Sequence, residues 1–323
     1  MTLHINEAEV RSLFNMELAL ECVEEISRKQ STGEVVVHAR RRFELPHGGF
    51  FHYMAAADDT SGHVAMKQYT YVRGQLKFLV PLYDMATGDL LAQIEADYLG
   101  QLRTGAASGV ATKYLAREDA RTAAIIGTGG QARAQLEAVA AVRKLVSARV
   151  YGRDPGRRDI FAKEMSERLG IPVDAPASPA AAVRGADIVC TATTSASPVV
   201  CGADLAVGTH VNAIGANHAH KRELDDEAIA RAGAIFVDSI EQSRQEAGDL
   251  ILGFHGDEAR WSGIHELAQL VGGKIPGRTS DSQITLFKSN GIASWDLASA
   301  VKIFALAKEQ GLGRPLPLWQ RTL

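Results

Sequence analysis

The feature that most constrains this chain is Gly127-Thr128-Gly129-Gly130-Gln131-Ala132, which follows the apolar run Thr122–Ile126 and opens a helix-forming stretch. The first glycine permits a tight strand-to-helix turn, and the second lets the backbone approach a pyrophosphate. A small third residue, here Ala132, lets helix and strand pack closely. The helix N-terminus turns its N–H groups and positive dipole end toward the phosphates. A glycine-rich turn alone is common. Here a strand precedes it, a helix follows, and a second strand, SARVYG, comes at the right distance, so the pattern predicts a dinucleotide-binding unit beginning near residue 121.

The rhythm downstream agrees. After Arg121 the chain alternates TAAIIG, QARAQLEAVAAV, SARVYG, RRDIFAKEMSERLG, SPAAAVRGA, DIVCTATT, GTHVNAIG, ELDDEAIARAG and AIFVDS. Near-continuous Val, Ile and Ala strands separated by helices indicate a parallel sheet covered on both faces. Upstream the texture differs. Residues 6–30 carry apolar positions at three- and four-residue steps and predict one helix. From Gly33 to about Glu95 short strand-like runs such as VVVHARRRFEL, FFHYMAA, HVAMKQYTYV, FLVPLYD and LLAQIEA are separated by glycine turns. A helix rich in small residues spans 96–116, and a last helix spans roughly Gly291 to Gln310. The expected class is α/β: a Rossmann-type doubly wound parallel sheet over 118–291, with a smaller α+β domain from 1–117 and 292–323.

Composition narrows the function. Hydrophobic residues are 46% and charged residues 23% of the 323, enough for a full core, and the net charge of −3 comes without a basic stripe. No nucleic-acid partner is expected. No run approaches the length that spans a bilayer, so no membrane partner is expected either. Cys22, Cys190 and Cys201 form no CxxC, which predicts neither a zinc site nor a disulfide framework and fits a reducing cytoplasm. Cys190, inside IVCTATT, reads as a buried inert thiol.

The end of the second strand bears on the choice of cofactor. An acidic residue there hydrogen-bonds a ribose hydroxyl and repels a 2′-phosphate, whereas this chain has Gly152-Arg153-Asp154. Arg153 stands where a guanidinium grips a 2′-phosphate, and Asp154 comes late for the ribose. The expected cofactor is NADP, with NAD left open.

The chain resembles the ornithine cyclodeaminase/mu-crystallin family. The resemblance rests on LRTGAASG, KYLAREDART, GTGGQA, VNAIGAN, AIFVDS, EAGDL and TLFKSNG, in that order, which together with the basic positions Arg42, Lys67 and Arg103 span about residue 40 to 300. It implies a Rossmann domain joined to a smaller substrate-binding and dimerisation domain, a homodimer, and hydride transfer on small α-amino or α-imino acids. It further implies that Arg42, Lys67 and Arg103 hold the substrate carboxylate, with Lys67 and Arg103 the expected catalytic pair. A carboxylate held by a bidentate guanidinium is fixed for hydride transfer. Thr104 is implied beside the cofactor phosphates, Lys221 as a cofactor contact, and Ser289 near the nicotinamide.

Asn217, in GANH, is the departure. The matching residue of cyclodeaminases and of the related alanine dehydrogenases is an aspartate, and an asparagine cannot serve as a general base. The expectation is therefore reduction of a preformed cyclic imine, Δ1-pyrroline-2-carboxylate or Δ1-piperideine-2-carboxylate, with Asn217 among the substrate contacts. The alternatives are an ornithine cyclodeaminase, an alanine-type amino-acid dehydrogenase, and a mu-crystallin-like protein that binds NADPH and a small ligand. His218 and His220, a pair with no third ligand in the sequence pattern, are expected to be loop residues rather than a metal site. Asp238, at the end of AIFVDS, is expected to be structural.

Overall fold

The computed structural model describes residues 2–318. It divides into two compact units, Met1–Arg103 with Ile292–Leu323, and Thr104–Gly291. The first unit opens with β1 (Thr2–Ile5), α1 (Glu7–Leu13) and α2 (Met16–Thr32). The single helix expected over 6–30 is thus two. Phe14 is extended, and Asn15 restarts the helix by accepting from the Leu18 N–H, so a side-chain cap overrides the continuous apolar spacing. The strands β2 (Val35–Glu44), β3 (Phe50–Asp58), β4 (His63–Val72), β5 (Gln75–Asp84) and β6 (Leu90–Glu95) follow as an antiparallel meander. Helix α3 (Asp97–Leu115) comes next. The sequence placed the division of the chain after this helix, at 117/118. It falls inside the helix, at 103/104. The helix's second half belongs with the second unit, where the Thr104 carbonyl accepts from Gln135.

The second unit is a doubly wound sheet. Its elements are β7 (Thr122–Ile126), α4 (Gly130–Val142), β8 (Ser147–Tyr151), α5 (Pro155–Leu169), β9 (Val173–Asp174), α6 (Pro179–Val183), β10 (Ile188–Thr191), β11 (His210–Ala213), α7 (Asp226–Arg231), β12 (Ala232–Val237), α8 (Ile240–Glu246), α9 (Gly248–Gly253), β13 (Ile264–Glu266), α10 (Leu267–Val271) and β14 (Ile284–Lys288). The strands lie in the order β13-β12-β14-β11-β10-β7-β8-β9, all parallel. Alternation on β7 shows why both faces need cover. Ala123 and Ile125 join Leu136, Val139, Phe161 and Met165 in one core, while Ala124 and Ile126 join Val183, Ile229, Leu250 and Phe254 in the other. The winding reverses between β7 and β10, and ligands of open α/β sheets bind at the carboxyl ends of strands at such a switch point.

The chain then returns to the first unit through α11 (Ala293–Gln310), followed by β15 (Arg314–Leu316). Helix α11 packs on α2 and on β3, β4 and β5, burying Trp295, Leu297, Ala300 and Ile303. The sheet of this unit runs β15-β1-β6-β5-β4-β3-β2, with β1 parallel to β6. Strands β1, β9, β13 and β15, each of four residues or fewer, are too short to show a period in sequence. Strand β14 escaped for another reason. It ends in Lys288, which reads as a surface residue yet is fully buried. Among the described residues no helix is long and apolar enough to cross a membrane.

Candidate active site

In the first unit, three basic residues gather under the α11 face of the sheet. Lys67 occupies β4, where Ala65, Lys67 and Tyr69 alternate inward. Its ammonium is 3% exposed, donates to Asp296 Oδ1 at 2.9 Å and lies 5.1 Å from the centre of the Phe78 ring. Arg103, on α3, is equally buried and donates from Nε to the same Oδ1 at 3.1 Å. Among the described residues its Nη1 is buried without a hydrogen-bond partner. Buried polar atoms are nearly always satisfied, so an orphaned guanidinium nitrogen marks a place for a ligand oxygen. Burial, then the Arg103 charge, push the Lys67 pKa down to about 8, against the pull of Asp296.

The third cation is not the expected one. Arg42 is exposed, pairs with Glu44 at 2.5 Å and stacks 4.5 Å over the Phe50 ring. Arg40 is 8% exposed, and its charge is among those that lower the Lys67 pKa. The cause is a register shift in β2 between His38 and Arg41, which buries Ala39 and Arg40 in succession. Bulges of this kind re-aim side chains beside functional sites. Three consecutive arginines gave the sequence no means of choosing. Asp296 was missed entirely, because one aspartate in the first turn of a helix carries no local signal.

In the second unit, the glycine turn lies at the switch point. Gly127 has φ +130°, and a Cβ there would stand 2.5 Å from the Ala192 carbonyl that follows β10. Only glycine fits. Gly129 is the N-cap of α4 and no side chain caps it, which leaves that helix end to a phosphate. Gly130 and Gln131 form the first turn, and Ala132 is fully buried against the sheet. Arg133 braces the turn: Nη1 donates to the Thr128 carbonyl at 2.9 Å while Nε and Nη2 hold Glu164. These residues fit a dinucleotide. Arg153 is exposed just past β8, whereas Asp154 caps α5 by accepting from the Arg157 N–H at 3.0 Å.

The loops after β10, β11 and β14 are tied together by buried charges. Lys288 lies 3.2 Å from Asp249 Oδ2 and donates to the Ala216 carbonyl at 2.6 Å. Asp249 Oδ1 accepts from the Glu223 and Leu224 N–H groups. Glu223 in turn accepts from Thr191 Oγ1 and from the N–H groups of Thr193 and Gly215, all at 2.7 Å. Burial is the largest influence on the Glu223 carboxyl and raises its pKa. Asn217 and Lys221 are half-buried in the segment this network holds. Ser289 is buried and donates to Asp238 Oδ2, which also accepts from the Asn290 N–H. Asp238 thus shapes the turn after β14. The His218 and His220 rings are 5.5 Å apart, and no third metal-binding side chain joins them among the described residues. Burial pushes the Cys190 thiol up to about 12.

With this geometry in hand, known proteins can be compared. Residues 2–311 match the model of the ornithine cyclodeaminase/mu-crystallin family. A Δ1-pyrroline-2-carboxylate reductase of Bacillus cereus is 41% identical over 239 residues, covering 74% of this chain and 73% of that protein. The structure of Thermococcus litoralis Δ1-pyrroline-2-carboxylate reductase in complex with NADH and L-proline superposes with a TM-score of 0.93 at 37% identity, covering 97% of this chain and all of the other. An archaeal alanine dehydrogenase dimer with bound NAD gives 0.92 at 31% identity, covering 98% of this chain and 99% of that one. The chain belongs to the ornithine cyclodeaminase/mu-crystallin family.

Proposed function

We propose that this protein is an NAD(P)H-dependent reductase that converts a small cyclic α-imino acid, Δ1-pyrroline-2-carboxylate or Δ1-piperideine-2-carboxylate, into the cyclic amino acid. The observation that carries this reading is the buried pair Lys67 and Arg103, both donating to one oxygen of Asp296, with the Arg103 Nη1 left without a hydrogen-bond partner among the described residues and Arg40 nearby. Two buried cations on one carboxylate, one of them with an open guanidinium nitrogen, suit a ligand that brings a second carboxylate. The Bacillus cereus relative and the Thermococcus litoralis neighbour support the substrate class by what they are named to act on and hold.

The chain's residues divide the work. Arg103 and Arg40 grip the substrate carboxylate, Arg103 through the nitrogens that Asp296 leaves open, and Arg42 at the rim has no part in it. A bound reduced nicotinamide supplies the hydride that adds to the imine carbon. As the C=N π pair withdraws onto nitrogen, Lys67 gives that nitrogen a proton and regains one from water. Asn217 offers the amine a hydrogen bond without the charge a cyclodeaminase carboxylate would bring. Thr104, Gly127 to Ala132, Lys221 and Ser289 hold the cofactor, and Arg153 favours NADP because Asp154 is committed to its helix cap.

The working form is a homodimer in the cytoplasm. The dimer is supported by an apolar sheet face opposite Lys67, where β2 and β3 expose Val36, Phe43 and Tyr53. The cytoplasm is supported by three free thiols. The test is reduced-cofactor oxidation over cyclic imines, over pyruvate with and without ammonia, and ammonia release from ornithine. We expect turnover of cyclic imines and none of ornithine. Activity confined to pyruvate plus ammonia would make it an alanine-type dehydrogenase. Ammonia from ornithine would restore the cyclodeaminase, and NADPH binding without any turnover would leave a binding protein.

A further inference from the structure

Asp296 holds two cations on one oxygen. Lys67 and Arg103 both donate to Oδ1, while Oδ2 is buried without a hydrogen-bond partner among the described residues. Glu223 in the second unit, by contrast, fills both oxygens with a hydroxyl and two backbone N–H groups. Arg103 spends Nε on Asp296, which leaves its Nη1/Nη2 edge, the planar fork that matches a second carboxylate. Gly100, one helical turn before Arg103, lets Lys67 approach: a Cβ there would stand 2.9 Å from the ammonium.

We propose that Asp296 is the positioning residue of the reaction: through Oδ1 it fixes the Lys67 ammonium relative to the Arg103 fork, so that gripping the substrate carboxylate also sets the proton donor against the imine nitrogen. This rests on the reductase reading. The groups facing Lys67 are Arg40 from β2, the Phe78 ring from β5, Arg103 and the exposed Asp97 from α3, and Asp296 from α11. Asp296 is the carboxylate in hydrogen-bond contact with Lys67, opposed by two arginines. It keeps the ammonium charged in a place where burial and like charge both work against it.

Two variants separate charge from shape. Asp296→Asn keeps an oxygen at the Oδ1 position but no charge, so Lys67 loses its proton at lower pH. The alkaline limb of kcat/KM for Δ1-pyrroline-2-carboxylate should move down by about one pH unit or more. Below that limb, KM should stay near the wild-type value. Asp296→Glu keeps the charge in a displaced position: the limb stays in place and kcat falls. The second readout needs no turnover. The 13Cε resonance of Lys67, assigned by its loss in Lys67→Met, should titrate lower in Asp296→Asn by the same shift and be unmoved in Asp296→Glu. An unmoved resonance in Asp296→Asn, or a uniform loss of kcat at every pH, overturns the inference. Should Asp296→Asn not fold, an Asp296→Glu variant whose limb and resonance move as far as the missing charge predicts overturns it too. A wild type that reduces no cyclic imine overturns the reductase reading instead, and the resonance still decides whether Asp296 holds the Lys67 charge.

Discussion

Two clusters of buried charge, one in each unit, differ in their balance. In the second unit Lys288 meets two carboxylates, Asp249 and Glu223, whose oxygens are also bonded to backbone N–H groups and a threonine hydroxyl. That cluster holds its cation among carboxylates of the unit itself, with Asp249 Oδ2 standing 3.2 Å from the Lys288 ammonium. In the first unit Asp296 faces Lys67, Arg103 and the nearby Arg40, and polar atoms on both sides of the Asp296–Arg103 pair lack partners among the described residues. Both clusters are equally buried, so burial does not distinguish a structural network from a binding site. The sign of the residual charge does: the second cluster sets two carboxylates on one cation, and the first sets two cations, Lys67 and Arg103, on one carboxylate.

The largest effect should come from pairing one variant of each cluster. Lys288→Met leaves two carboxylates buried without their cation, and we expect a stability loss of about 3–5 kcal/mol by urea unfolding. Arg103→Ala relieves a surplus of positive charge, so its stability loss should be clearly smaller. Its kcat/KM should nevertheless fall by about 10- to 100-fold, the cost of a charged hydrogen bond to the substrate. The reverse order, a destabilised Arg103→Ala beside a stable Lys288→Met, would break the comparison.

A middle-sized effect is expected at the cofactor. Arg153 is exposed just past β8, whereas Asp154 beside it caps its helix. Arg153→Ala should weaken NADPH more than NADH by about 1.5–3 kcal/mol, measured as the ratio of dissociation constants. Equal weakening of both cofactors would remove Arg153 from phosphate recognition.

The smallest effect sharpens the site itself. Arg42→Ala, at an exposed position paired with Glu44, should change kcat/KM by less than about threefold, within the scatter of surface substitutions. Arg40→Ala should raise KM for the imino acid by about tenfold, in keeping with loss of a buried charge beside Lys67. Equal losses in the two variants would return Arg42 to the site.

Lys67 adds a consequence for pH. Its value of about 8 lies below the ordinary 10.5, so its charge opposes folding fully below about pH 8, and the penalty fades as pH rises toward 10.5.

The sequence by itself determined the Rossmann unit, because GTGGQA between a strand and a helix is a local pattern with a local cause: Gly127 must adopt a positive φ where β7 turns into α4. The resemblance, carried on motifs legible in the sequence, also singled out Lys67 and Arg103, which the structure buries side by side. Only the tertiary structure decided what holds them. Asp296 lies far along the chain from both, and nothing near it in sequence announces two cations. That Arg40 is buried and Arg42 exposed turned on an irregularity in β2, and a strand's period of two cannot show where such a slip occurs. The burial of Lys288 was likewise decided by tertiary structure. A lysine is usually exposed, and here a distant Asp249 and the carbonyls of Ala213 and Ala216 are brought within reach of its ammonium.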